Sequence, residues 1–233
     1  LAPDPLERGD GPRERHAVGV DLEVVVIEAV ALLGRNGMGK TTTLRAILGL
    51  TTLRSGRISF EGTDLGHLRT FEIARRGIGY APEGRRPFAT LRVEENLRVG
   101  ACQERSDKAV VSRLAEILQI FPRLAERRTQ LAGTMSGGEQ AMLSIGRGLM
   151  CAPKLLLVDE PSLGLSPRLV KENFKIIRSI NERGITVLLV EQNVHQTLAI
   201  SHFGFVLSKG RVAASGNPAE LAAQPEVRDA YFG

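Results

Sequence analysis

Tryptophan is absent from this 233-residue chain, and only 4% of its residues are aromatic. An interior short of rings must be filled by Leu, Ile, Val and Ala. With 42% hydrophobic and 24% charged residues, that composition is ordinary for a soluble globular protein and favours an α/β build. Cysteine is scarce too: Cys102 and Cys151 lack metal-ligand spacing and cannot supply a disulfide framework, so a reducing compartment is expected. No apolar run nears the ~20 residues of a membrane span, so work at a membrane would need another chain to cross it. Residues 1–16, LAPDPLERGDGPRERH, lack the apolar segment of a signal peptide and read as an irregular tail. A concentrated charge is also missing. The net +5 is spread along the chain, with only short pairs such as Arg75-Arg76 and Arg127-Arg128, so a solvated surface is expected and a nucleic-acid partner is not.

The stretch from Val18 to Leu33 is apolar and β-branched, which predicts two strands, the second ending at Gly34. TTLRAILGL then has helical spacing, and RISF (57–60) and IGY (78–80) are strand candidates. From about Thr90 to Leu149 no strand is expected; LRVEENLRVGA, KAVVSRLAEILQIF and GGEQAMLSIGRGLM all read as helices. Alternation resumes with KLLLVD, PRLVKENFKIIRSINER, ITVLLV and NVHQTLAIS. The runs LLLV and VLLV, without period-two alternation, fit parallel strands covered by helices on both faces. FVLSKGRVAASG predicts a hairpin turning at Lys209-Gly210, and Asn217-Pro218 opens a short helix.

GRNGMGKT, residues 34–41, fits G-x-x-x-x-G-K-[ST] between a strand and a helix. Gly34, Arg35, Asn36, Gly37, Met38, Gly39, Lys40, Thr41 and Thr42 are therefore the candidate nucleotide-binding segment. The glycines let backbone N–H groups curl around phosphate at a helix N-terminus, Lys40 reaches the β- and γ-phosphates, and the Thr41 hydroxyl suits Mg²⁺. A plain glycine-rich turn would explain the glycines alone. LLLVDE, residues 155–160, ends a buried strand in two carboxylates at the same sheet edge, which is costly unless they are solvated or paired. Asp159 suits the metal, and Glu160 is left to orient or deprotonate an attacking water.

SGGEQ, residues 136–140, contains an S-x-x-E capping box, which accounts for Ser136 and Glu139 but not for two glycines. Here the chain resembles the ATP-binding cassette family, whose signature is L-S-G-G-[EQ]-Q, with Met135 in the place of the usual Leu. The resemblance covers roughly residues 17–233: phosphate loop, Glu83 loop, helical insertion, signature, DE strand, SLGL (162–165) and the switch strand LLVEQN. It implies a P-loop NTPase, α/β with a mainly parallel sheet, an N-terminal antiparallel β element and an α-helical insertion. The core would be about 17–88 and 150–233, the helical subdomain about 89–149.

By the same resemblance the chain binds and hydrolyses ATP with Mg²⁺, held by Thr41, Glu83 and Asp159, while Gln192 holds the γ-phosphate at the switch position. Ser136, Gly137, Gly138, Glu139 and Gln140 would act in trans, closing over ATP bound to a second cassette arranged head to tail. YAPEGRRPFATLRVEENLRVGA, DEPSLGLSP and VRDAYFG are similar to the shorter ATPase of bacterial branched-chain amino acid importers. That implies a longer paralogue as second ATPase, two membrane permeases, a periplasmic or extracellular solute-binding protein, and a peripheral place on the cytoplasmic face of the inner (plasma) membrane.

The resemblance departs at the adenine, where a ring near the N-terminus normally stacks: no Phe, Tyr or Trp precedes Phe60, leaving His16. His195, three residues past Gln192, is expected to face solvent. Two other readings compete. A non-transport cassette acting on DNA, ribosomes or iron-sulfur assembly would usually carry paired cassettes or a long coiled-coil insertion. A weakly hydrolysing ATP-dependent clamp is motivated by the missing ring and the missing switch His. Neither a P-loop kinase nor a GTPase explains SGGEQ, and no N-K-x-D guanine motif is present.

Overall fold

The computed structural model describes residues 28–53, 55–224 and 227. The expected first strand, the tail 1–16 and His16 lie outside the described residues, as does most of the closing VRDAYFG.

Continuous apolar runs bury strands on both faces, and the chain follows that rule. Strands β1 (Ala29–Leu33), β4 (Ile78–Ala81), β5 (Leu155–Asp159), β6 (Thr186–Glu191), β7 (Phe203–Ser208) and β8 (Arg211–Gly216) form one sheet in the order β4-β5-β6-β1-β7-β8. All pairs are parallel except β7–β8. A separate antiparallel pair joins β2 (Ser59–Phe60) to β3 (Thr63–Asp64).

One face packs Val30, Leu32, Leu155, Leu157, Leu188 and Val190 against Leu44 of α1 (Lys40–Ile47) and Ile73 of α2 (Thr70–Arg75). The opposite face packs Leu156, Val158, Val187 and Leu189 against α6 (Gly137–Leu149) and α7 (Pro167–Glu182). Beside it, Ala31 and Leu33 meet α8 (Val194–Leu198) and α9 (Pro218–Ala223). Each fully buried Leu or Val contributes on the order of 1.5–3 kcal/mol, so the two-sided runs are the fold's main driving force.

Between β4 and β5 the chain forms α3 (Val93–Gly100), α4 (Asp107–Ile120), α5 (Pro122–Glu126) and α6, with one isolated bridge, Arg92 to Leu131, and no strand. The expected hairpin turns at Lys209 and Gly210, both left-handed (φ 49° and 76°), the backbone that a tight two-residue turn demands. Asn217 caps α9 by accepting from Ala219 N and Glu220 N, each at 3.0 Å. The segments α2, α5 and β3 are not visible in the sequence pattern.

Candidate functional site

Strands β1, β5 and β6 run parallel, so the segments leaving their carboxyl ends gather at one edge. From β1 comes the glycine-rich loop. Gly37 and Gly39 have φ of 80° and 104°, and an added Cβ at Gly34 would come within 3.0 Å of the Leu207 carbonyl oxygen, so these positions need glycine. The loop rests on the β7–β8 turn: Gly210 N donates to Met38 O at 3.1 Å, and Lys209 N to Met38 Sδ at 3.2 Å. No side chain caps α1 and its first turn carries no acid, leaving its positive end turned to the loop.

Lys40 is only 4% exposed; its ammonium donates to Gly34 O at 2.7 Å and Arg35 O at 3.2 Å, and pairs with Glu160 Oε1 at 3.2 Å. Glu160 leaves β5 with a left-handed backbone (φ 44°) that aims its carboxylate back at the loop. Its second oxygen, Oε2, accepts from Gln192 Nε2 at 2.8 Å, and its backbone N donates to Val190 O. Lys40, Glu160 and Gln192, from three separate elements, thus form one cluster.

Asp159 lies beside them, 2% exposed. Burial, with the nearby Glu83 and Glu160 charges added, pushes its carboxyl up to about 6, against the Tyr80 hydrogen bond and Lys40. Tyr80 Oη donates to Asp159 Oδ2 at 3.3 Å, while Oδ1 is buried with no partner. Burial first and Asp159 second push the Tyr80 phenol well up, so it stays a donor. An acceptor buried unsatisfied is costly, and Oδ1, with the Glu83 charge nearby, is a hard oxygen of the kind Mg²⁺ accepts. Among the described residues no three acidic, His or Cys side chains form a closed metal cage, so such a cation would also need oxygens from the nucleotide.

The SGGEQ segment starts α6 as a full capping box. Ser136 Oγ accepts from Glu139 N at 3.4 Å and donates to Glu139 Oε2 at 2.8 Å, and Ser136 N donates to Glu139 Oε2 at 2.9 Å. Glu139 also pairs with Arg127 at 2.7 Å, and Gln140 Nε2 donates to Ala132 O at 3.2 Å. The plain capping reading is therefore present: Glu139 and Gln140 brace the segment from within, and the glycine backbone of Gly137 and Gly138 forms the helix start. Arg35 is exposed, Thr41 and Thr42 half-buried, and His195 exposed on α8, away from the Gln192–Glu160 contact.

Three residues at this edge were not singled out by sequence reasoning. Tyr80 covers Asp159. Arg85 donates from Nη2 to Leu163 O at 2.7 Å and Gly164 O at 3.2 Å. Glu191, 1% exposed, accepts from Ser162 N at 2.8 Å and Gln192 N at 3.0 Å; burial pushes its carboxyl upward. A carboxylate kept at the end of the run VLLV is the one local hint.

A mainly parallel sheet with this loop, a buried lysine and strand-end carboxylates defines a P-loop NTPase of the ATP-binding cassette type. Residues 18–163 match the ABC transporter family model, and the chain belongs to that family. It is an ATP-binding protein and an ATPase. It is 48% identical, over 92% of its length and 91% of the relative's, to the high-affinity branched-chain amino acid transport ATP-binding protein BraG of Pseudomonas aeruginosa. Identity is 37% to the probable branched-chain amino acid transport ATP-binding protein LivF of Archaeoglobus fulgidus (91% and 90% covered). It is 35% to the lipopolysaccharide export system ATP-binding protein LptB of Escherichia coli K12 (92% and 89%). The fold superposes on a crystal structure of a nucleotide-free ATP-binding cassette from an ABC transporter with TM-score 0.81, 26% identity and 93% of each chain covered.

Proposed function

We propose that this chain is the ATP-hydrolysing subunit of an importer of branched-chain or related amino acids. The observation that carries the hydrolytic part is the Lys40–Glu160–Gln192 cluster at the end of the phosphate loop. Backbone N–H groups of residues 34–42 and Lys40 bind the ATP phosphates, Thr41, Glu83 and Asp159 hold Mg²⁺, and Glu160 accepts the proton of the attacking water. Mg²⁺ supplies neutralisation of charge on the phosphate oxygens. Gln192 orients Glu160 and can donate to a γ-phosphate oxygen, but its amide cannot shuttle a proton.

Ser136, Gly137 and Gly138 offer the start of α6, beside the Arg85 guanidinium, to a nucleotide on a second cassette, with Glu139 and Gln140 bracing them. Residues 17–88 and 150–233 act as the core and 89–149 as a helical subdomain. Exposed Phe88, just before that segment, and exposed Leu131 within it, 48% and 46% accessible, suit docking of a membrane permease. No helix among the described residues is long and apolar enough to cross a membrane. The peripheral place at the cytoplasmic face rests on the family likeness to transport ATP-binding proteins.

The solute rests on the 48% identity to the Pseudomonas protein, against 35% to the lipopolysaccharide export proteins. The test is affinity isolation of the chain with its native partners, followed by ATPase assay with the co-purified permeases in vesicles. Stimulation by a binding protein loaded with leucine, isoleucine or valine supports the proposal. Recovery of lipopolysaccharide-export components, or of ribosomes or DNA, overturns it.

A further inference from the structure

The loop that follows β4 does more than present Glu83. Its next three residues, Gly84, Arg85 and Arg86, all have positive φ, 74°, 66° and 41°, a backbone that disfavours residues with a Cβ. Arg86 N closes the turn on Gly84 O at 2.6 Å. The turn swings Arg85 across to the SLGL loop, where one guanidinium nitrogen donates to two successive carbonyls, Leu163 and Gly164. The same guanidinium lies on Gly137 so closely that an added Cβ there would overlap Nη1, and a Cβ on Gly164 would sit 3.3 Å from Nη2. A cation is disfavoured at the start of a helix, so the two carbonyls, rather than the charge at α6, hold it there.

From the SLGL loop the bonds continue inward. Ser162 N donates to Glu191, Gln192 N donates to the other Glu191 oxygen, and Gln192 Nε2 donates to Glu160. Arg85 is separated from Glu191 by over a hundred residues of chain and joined to it by one short loop. We propose that Arg85 is a positioning residue that ties the Glu83 loop to the SLGL loop and, through Glu191 and Gln192, sets the orientation of Glu160. A displacement of the Glu83 loop is then felt at the carboxylate that activates water. This rests on the reading of Glu160 given above.

The test is steady-state hydrolysis by the full chain in its assembled complex with the second cassette and permeases, with ATP affinity measured separately by calorimetry. Arg85→Ala lowers kcat by about tenfold, the scale on which misplacing a catalytic group acts, and changes ATP affinity by less than about twofold. Arg85→Lys keeps one charged donor nitrogen on a shorter stem, without the planar fork, and recovers part of kcat. In the Arg85→Ala, Glu191→Gln double variant the losses do not multiply, since both act along one path. Unchanged kcat in Arg85→Ala, losses that multiply, or a fall in ATP affinity matching the fall in kcat would each overturn the proposal. Should the Ala variant melt early, the Lys variant decides alone: intermediate kcat with unchanged affinity supports it, wild-type kcat overturns it. Persistent turnover in Glu160→Gln instead strikes at the reading of Glu160 itself.

Discussion

Gln192 and Glu160 meet side chain to side chain, Nε2 donating to Oε2 at 2.8 Å, across the ends of two neighbouring parallel strands. Lys40 holds the other carboxylate oxygen at 3.2 Å, so Glu160 is clamped between an amide and an ammonium. An amide does not ionise in the working pH range, and the nearby imidazole, His195, is exposed and takes no part in the clamp. Glu160→Gln should therefore cut ATP turnover at least about a hundredfold with ATP still bound, and Gln192→Ala by about ten- to a hundredfold. His195→Ala should stay within about twofold of wild type in the same steady-state assay. A larger loss for His195→Ala than for Gln192→Ala would reverse the roles.

Asp159 gives a pH signature. Burial and then the Glu83 charge raise its folded value to about 6 from the ordinary carboxylate value of 3.8. Between those values the folded chain holds a proton that the unfolded chain has lost, so this group's contribution to stability is full below about pH 4 and is lost as pH rises through about 6. Asp159→Asn removes the ionisation. In EDTA it should melt higher than wild type at pH 8, by up to about 3 kcal/mol in stability, and the gap should close near pH 4. With Mg²⁺ and ATP added at pH 8 the wild type should gain more than the variant. Thermal melts in the three conditions check both signs.

The sequence displays the parts of this site that are local. GRNGMGKT, LLLVDE and VLLVEQ each carry their own pattern, because a strand buried on both faces reads as a continuous apolar run and its polar end stands out. The Lys209-Gly210 turn is legible for a similar reason: few residues accept two successive left-handed positions. What the pattern misses is of two kinds. The short helices α2 and α5 each bury a single residue, Ile73 and Leu124, too little for a periodicity to form. Tyr80, Arg85 and Glu191 act on residues 79, 78 and 29 positions away, and no local spacing encodes such contacts.

Asn96 is fully buried and pins the turn that leads into α3. Its Oδ1 accepts from Phe88 N at 2.8 Å, and its Nδ2 donates to the carbonyls of Phe88, Leu91 and Arg92 at 3.0 to 3.2 Å. Aspartate keeps the acceptor but turns a second oxygen on three carbonyls. Asn96→Asp should cost about 3 kcal/mol or more at pH 7, and less near pH 4 where the acid can donate. Asn96→Ala should cost about 1–3 kcal/mol at both pH values. Chemical denaturation at the two pH values separates the variants.

Gly100 and Gly184 should both resist alanine, for different reasons. At Gly100, near the end of α3, an added Cβ would overlap the Arg147 carbonyl oxygen and come within 2.9 Å of Met150 Cβ, so α3 and α6 would have to move apart. Overpacking of this kind costs about 1–3 kcal/mol, against the ~1 kcal/mol that alanine gains over glycine inside a helix. At Gly184 nothing lies within 4 Å, but φ is 89°, so the cost there is backbone conformation alone. Gly184→Asn should consequently recover most of the loss seen in Gly184→Ala, since asparagine tolerates left-handed backbone, whereas Gly100→Asn should be worse than Gly100→Ala. Urea unfolding of the four variants measures the contrast. Since α6 carries SGGEQ at its start, Gly100→Ala should also lower ATP turnover, while the Gly184 variants should leave it unchanged.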